Sequence, residues 1–174
     1  MLKRLSQCIR EYRKDTLLSP LFVSLEVIME VLIPYLMSKI IDNGIDRGDM
    51  NYILRLGGVL VACALLSLLF GAFSGHFAAN ASSGFARNVR PDLYYAVQDF
   101  GFENIDRFST SGLVTRLTTD VTNLQNAFQM IVRICVRAPV MLVFSLFMAF
   151  RVNSRLALTF LAATPVLALG MAAI

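Results

Sequence analysis

The sequence predicts an all-α membrane protein, with an amphipathic N-terminal helix and about four transmembrane helices, some carrying long polar extensions. Composition is the first reason. Of 174 residues, 56% are apolar and 16% are charged, whereas a soluble domain is about 45–50% apolar and about 25% charged. Patterning is the second, because apolar runs recur along the chain, several of them near or above the about 20 residues that cross a bilayer. Short polar turns between those runs are the third. Together they exclude an ordinary soluble enzyme. They also exclude a disordered chain, which needs low hydrophobicity and high net charge. The net charge of +4 suits an anionic membrane surface or nucleic acid, and its distribution favours the membrane, with no nucleic acid expected.

Within residues 2–14, Leu2, Leu5, Ile9 and Tyr12 recur at helical spacing, with Lys3, Arg4, Arg10, Arg13 and Lys14 between them. This reads as an amphipathic helix over residues 1–16 lying on the membrane surface. Residues 17–41 form the first span. Pro34 is expected to kink it, and Asp42-Asn43-Gly44 to end it in a turn. The second span, 53–86, belongs to a run of 31 residues without a formal charge, 56–86. At ~1.5 Å per residue that run is about 46 Å long, more than the roughly 30 Å hydrocarbon core. Helical patterning continues toward residue 104, which favours protrusion into water, with a bend at Pro91.

Residues 87–137 are polar, and the Ser, Thr and Gly of 108–120 suit a break between helices followed by an N-cap. A third span is expected over 117–150, including a polar part. Residues 151–155 then make a turn, and 156–174 make a fourth span that stops at Ile174 without a polar flank. That end reads as cut. Placing the N-terminus in the cytoplasm puts eleven Lys and Arg inside and five outside, the sense of the positive-inside rule.

Glu26 and Glu30 lie four apart on one helix face inside the first span. Intramembrane carboxylates call for a named partner, and Arg133 and Arg137 are also four apart. Counted from Asp42, Glu30 and Glu26 lie about 18 and 24 Å deep; counted from Arg151, Arg137 and Arg133 lie about 21 and 27 Å deep. The pairs can therefore match in register. Two readings stay open: a structural ion-pair cluster, or carboxylates facing a translocation cavity that meets cationic or polar cargo.

Ser67, Gly71, Gly75, Ala79 and Ser83, each four apart, form a stripe of small residues that marks a face pressed against another helix. His76, Asn80 and Arg87 form a sparser polar line, read as an interhelical contact rather than a cavity lining. Asn80-Ala81-Ser82 is a glycosylation sequon in form only, since it falls inside a helix. Cys8, Cys63 and Cys135 are far apart, without CxxC spacing, and read as apolar fillers. With one histidine there is no histidine zinc site. No HExxH or nucleophile elbow occurs, so no catalytic residue is assigned. Lys3, Lys14 and Lys39 do not follow glycine, so the chain holds no Gly-Lys-Ser/Thr phosphate loop.

Arg90-Pro91-Asp92-Leu93-Tyr94 and the run from Phe102 to Val121 resemble the first intracellular loop of ABC exporters, most of all the multidrug-type half-transporters of Firmicutes. Ile40-Ile41-Asp42-Asn43-Gly44, and Leu156-Ala157-Leu158 with Pro165, are similar too. The resemblance covers essentially the whole chain. It implies part of a type-1 transmembrane domain of six helices with an N-terminal elbow helix and long cytoplasmic extensions. By match, a coupling loop spans 105–116. Phe108, Ser109, Thr110, Ser111, Gly112, Leu113, Val114 and Thr115 would form its short coupling helix, which docks on a nucleotide-binding domain.

The resemblance further implies a multi-pass protein of the cytoplasmic membrane, touching membrane lipid. A second half-transporter completes it, with a heterodimer favoured over a homodimer. The function implied is ATP-driven efflux of drugs, lipids or peptides by alternating access, with ATP and Mg held by the nucleotide-binding domain and no cofactor in this chain. Helices five and six and the ATPase domain are missing, so the chain reads as an N-terminal fragment. A small membrane adaptor or regulator that docks on a nucleotide-binding partner is the alternative.

Overall fold

The structure, a computed structural model, describes residues 8–99, 110–155, 157, 158, 161, 163 and 165. Among these, all regular structure is helical: α1 (Arg13–Ile40), α2 (Met50–Gln98), α3 (Thr110–Thr115) and α4 (Val121–Val152). Three stretches, Arg10–Ile45, Met50–Gln98 and Gly112–Val152, are long and apolar enough to cross a membrane. Helices are what apolar runs must form there, because a helix pairs every backbone N–H and C=O within its own segment. At 49 residues, α2 is about 74 Å long, more than twice the hydrocarbon core.

The ends of these helices differ from the sequence expectation in three places. Residues 1–7 of the expected surface helix lie outside the described residues. Arg10–Tyr12 is a single 3₁₀ turn, and residues 13–16 already belong to α1. Arg10 adopts a left-handed backbone, with φ at 37°. This costs roughly 1–2 kcal/mol in a non-glycine residue and separates what precedes it from the long helix.

At the far end of α1, Asp42, Asn43 and Gly44 do not form the turn. Ile41–Ile45 continues as one loosely wound π-helical turn, in which the Asp46 N–H donates to the Ile41 carbonyl at 3.1 Å. The reversal comes later. Gly48 takes φ of +67° with open space around it, the left-handed residue that commonly ends helices. Asp49 then caps α2, its Oδ1 accepting from the Tyr52 N–H at 3.1 Å.

The break and N-cap expected within 108–120 are also absent from its described part. α3 passes through a π turn at Arg116–Asp120 straight into α4, without a side-chain cap. The threonines bond backwards instead: Thr118 Oγ1 donates to the Val114 carbonyl at 2.8 Å, and Thr122 Oγ1 to the Thr118 carbonyl at 3.1 Å. A threonine hydroxyl on a helix can donate to i−4 as readily as it can cap. α2 stays helical through Pro91, and α4 through Pro139. α4 ends at Val152, and Asn153 alone interrupts, its Oδ1 accepting from the Arg155 N–H at 3.0 Å. The described residues beyond it are helical; the rest of the expected fourth span lies outside the described residues.

The chain divides into two compact units. The first comprises residues 1–23 and 70–136. Its core is Phe85, Ala86, Val89 and Val121, with Cys8, Ile9, Leu93, Leu124 and Phe128 against it. Phe85 and Phe128 stack with centroids 4.6 Å apart. Phe22 packs among Phe70, Phe73 and Phe77, 5.5 to 6.2 Å between centroids. Ser19 Oγ donates to the Ser74 carbonyl at 3.2 Å, a side chain reaching a neighbouring helix backbone. The N-terminal residues are held on α2: Arg10 pairs with Asp92 at 3.2 Å, and Asn88 Nδ2 donates to the Cys8 carbonyl at 2.9 Å. The second unit comprises residues 24–69 and 137–174. It buries Val27, Ile40, Gly44 and Ala157.

Two predictions follow from the packing at the N-terminal end. A Cβ on Gly84 would overlap the Tyr12 ring close to its attachment, where the ring cannot swing clear. Gly84→Ala should destabilise the protein by about 1–3 kcal/mol in thermal unfolding. Adding Tyr12→Ala should return most of that loss, and an additive result would contradict the contact. Cys8 Sγ donates to Asp92 Oδ2 at 3.7 Å, and burial, followed by the Asp92 charge, raises the thiol above the ordinary range. The thiolate is therefore scarce at pH 8. With Cys63→Ala and Cys135→Ala in place, Asp92→Asn should speed maleimide labelling of Cys8 severalfold at that pH.

Candidate functional site

In the second unit, the side chains drawn out from the sequence meet at one point. Glu26 and Glu30 lie one turn apart on α1, and Arg137 of α4 bridges both. Its Nη1 donates to Glu26 Oε1 at 2.9 Å. Its Nη2 donates to Glu30 Oε1 and Oε2 at 2.7 and 2.8 Å. The guanidinium suits this task because its donors sit in a rigid planar fork that matches carboxylate geometry. Glu26 is 8% exposed, and its Oε2 is buried without a hydrogen-bond partner among the described residues. With all three groups ionised, the cluster carries one net negative charge.

Arg133 makes no ion pair among the described residues. Its Nη1 lies 3.9 Å from where a Cβ on Gly75 would sit. Both arginines are four apart and equally available by spacing, so only side-chain placement decides between them. One fork serves two carboxylates a turn apart.

The small-residue stripe is placed differently from its sequence reading. Gly71 and Gly75 are half-buried, and Ala79 and Ser83 are exposed, Ser83 Oγ accepting from Gln125 Nε2 at 3.3 Å. The face of α2 that is buried is the adjacent one, Ser74, Ala78 and Ser82, again four apart. Its register against α1 comes from the phenylalanines around Phe22, which a count of small residues does not weigh. In the polar line, Asn80 Nδ2 meets His76 Nε2 at 3.1 Å within α2 itself, an intrahelical pair in place of the expected interhelical one. Arg87 Nη1 donates to Tyr12 Oη at 3.5 Å.

Of the expected coupling residues, Phe108 and Ser109 lie outside the described residues. Thr110–Thr115 is helical, as α3. Leu113 is buried and Val114 is 56% exposed, so α3 leaves an apolar side chain uncovered.

The profile of the ABC transporter transmembrane region matches residues 16–174. The chain belongs to that family. It is a membrane-spanning protein, as its three long apolar helices require. Among the relatives it matches, an uncharacterized ABC transporter ATP-binding protein of Bacillus subtilis is 34% identical over 83% of this chain and 25% of the relative. A similarly described protein of Mycobacterium tuberculosis is 28% identical over 98% of this chain and 29% of its own length. An ATP-dependent lipid A-core flippase of Pseudoalteromonas translucida is 26% identical over 80% of this chain and 24% of the flippase. The chain thus spans about a quarter of the length of the curated relatives it matches.

The arrangement of the charged triad makes a quantitative prediction. Arg137→Gln leaves two carboxylates facing each other without a cation, and should cost about 3–5 kcal/mol in detergent unfolding. Glu30→Gln should cost more than Glu26→Gln, because Glu30 holds two of the three bonds. Combining Glu30→Gln with Arg137→Gln should show a coupling of about 0.5–3 kcal/mol, and strict additivity would exclude the pairing.

Proposed function

We propose that the chain is the permease portion of an ATP-driven exporter working by alternating access. The observation that carries this reading is the family match over residues 16–174. Its N-terminus lies in the cytoplasm of the cytoplasmic membrane, which the excess of Lys and Arg on that side supports. α3 and the residues just before it, 108–115, dock on an ATP-binding domain. The exposed Val114 side chain on a short helix between α2 and α4 supports that role.

ATP and Mg are bound by that domain and not by this chain, which contains no Gly-Lys-Ser/Thr. A second half-transporter, distinct rather than identical, completes the permease. The flippase among the relatives, and others described as putative export ATP-binding/permease proteins, support outward movement of lipids or other amphiphiles, drugs included. In this reading the triad of Glu26, Glu30 and Arg137 holds α1 to α4 beside the transport path. Its residual negative charge favours polar or cationic cargo over anions.

The test is transport in inside-out vesicles carrying the chain together with its ATP-binding domain. A fluorescent cationic amphiphile should accumulate only with ATP. Val114→Asp, which buries a charge at the proposed contact, should reduce accumulation at least about tenfold while the membrane part stays folded. Partner binding without ATP-dependent accumulation would instead support the adaptor reading.

A further inference from the structure

Where the uncharged run of α2 ends, four residues share one helix face at spacings of four, three and four: Ser83, Arg87, Arg90 and Tyr94. In the first unit this face and Gln125 of α4 line an open cavity of ≈ 640 Å³, with Tyr95 at its edge. Neither arginine has a carboxylate partner among the described residues. The nearby Asp92 is taken by Arg10, at 3.2 Å, and Arg87 donates to the phenol of Tyr12 at 3.5 Å. The cavity therefore offers two guanidinium groups without an ion pair among the described residues, a hydroxyl, an amide and a phenol, a donor set for a tetrahedral oxyanion.

Its position narrows the ligand. The 31 residues preceding Arg87 carry no formal charge if His76 is neutral, so Arg87 and Arg90 are the first charges on the polar side of that run, and Arg87 stands level with Tyr12 of the expected surface helix, where arginine and tyrosine meet headgroups. Tyr94 and Tyr95 are 52% and 64% exposed, open to such a ligand. Upstream of the arginines, α2 presents the exposed ring of Phe73, a surface on which an acyl chain can lie.

We infer that the cavity lined by Arg87, Arg90, Tyr94 and Gln125 is a binding site for the phosphate headgroup of an anionic phospholipid. It serves the protein as a fixed interfacial anchor for α2, distinct from the triad and independent of whether the chain transports anything. Arg87 and Arg90 clamp the phosphate, Ser83 and Gln125 supply neutral donors, and the tyrosines flank the glycerol.

The experiment is native mass spectrometry of the chain released from nanodiscs of equal phosphatidylglycerol and phosphatidylcholine. The unmodified chain should retain phosphatidylglycerol in clear excess. Arg90→Gln should lower the retained ratio about fivefold, and adding Arg87→Gln should lower it by a similar factor again. Arg155→Gln, outside the cavity, should leave it unchanged. Without any substitution, hydrogen exchange over residues 87–95 should slow when phosphatidylcholine discs are replaced by phosphatidylglycerol discs, and inorganic phosphate at millimolar concentration should not reproduce the slowing. Equal retention of the two lipids, a ratio indifferent to both arginines, or protection by phosphate alone would each overturn the assignment. So would exchange that does not respond to headgroup, the result expected if protein rather than lipid fills the cavity.

Discussion

The bridge from Arg137 to Glu26 and Glu30 is the constraint on which the membrane-embedded packing turns. An isolated charge in a spanning segment is costly whatever scale is used, and three charges are tolerable only when they satisfy one another. Here one guanidinium fork reaches both carboxylates at 2.7 to 2.9 Å. The helices that carry them gain a defined facing, because turning α4 to another face would strand two carboxylates. Among the described residues, Glu26 Oε2 is left without a partner.

Away from the charges, the first unit is held by close approach rather than by bulk. Ser19 reaching the Ser74 carbonyl and the buried Ala78 and Ser82 let α1 and α2 come together, as membrane helices must when lipid is as apolar as their own side chains. Phe22 among three phenylalanines of α2 adds ring contacts that set which face of α2 is used. The most apolar stretch of α2 is left with none of its residues buried. A soluble protein could not sustain such a surface, whereas lipid covers it without cost.

The polar end of the molecule does different work. α2 extends well past the hydrocarbon, and the Arg10 pair with Asp92 and the Tyr12 contact with Gly84 fasten the N-terminal residues to it. α3 and α4 form a continuous helical path through the π turn at Arg116–Asp120.

Spanning segments, the carboxylate pair and the absence of a phosphate loop were legible from residue order alone. Each depends only on local hydropathy, on the four-residue repeat of a helix, or on a contiguous motif. Glu26 and Glu30 had to share a face, and 56–86 had to be helical in lipid. Spacing could not choose Arg137 over Arg133, nor Ser74, Ala78 and Ser82 over Gly71, Gly75 and Ala79, because neighbouring faces of one helix carry nearly the same pattern. Contacts from other helices broke those ties. The same holds for the left-handed Arg10, for the turn moved from Gly44 to Gly48, and for threonines that bond backwards instead of capping. Sequence by itself determined that these helices exist and belong in a membrane. The tertiary structure decided which faces meet, because partner choice is a competition between near-equal surfaces that only packing resolves.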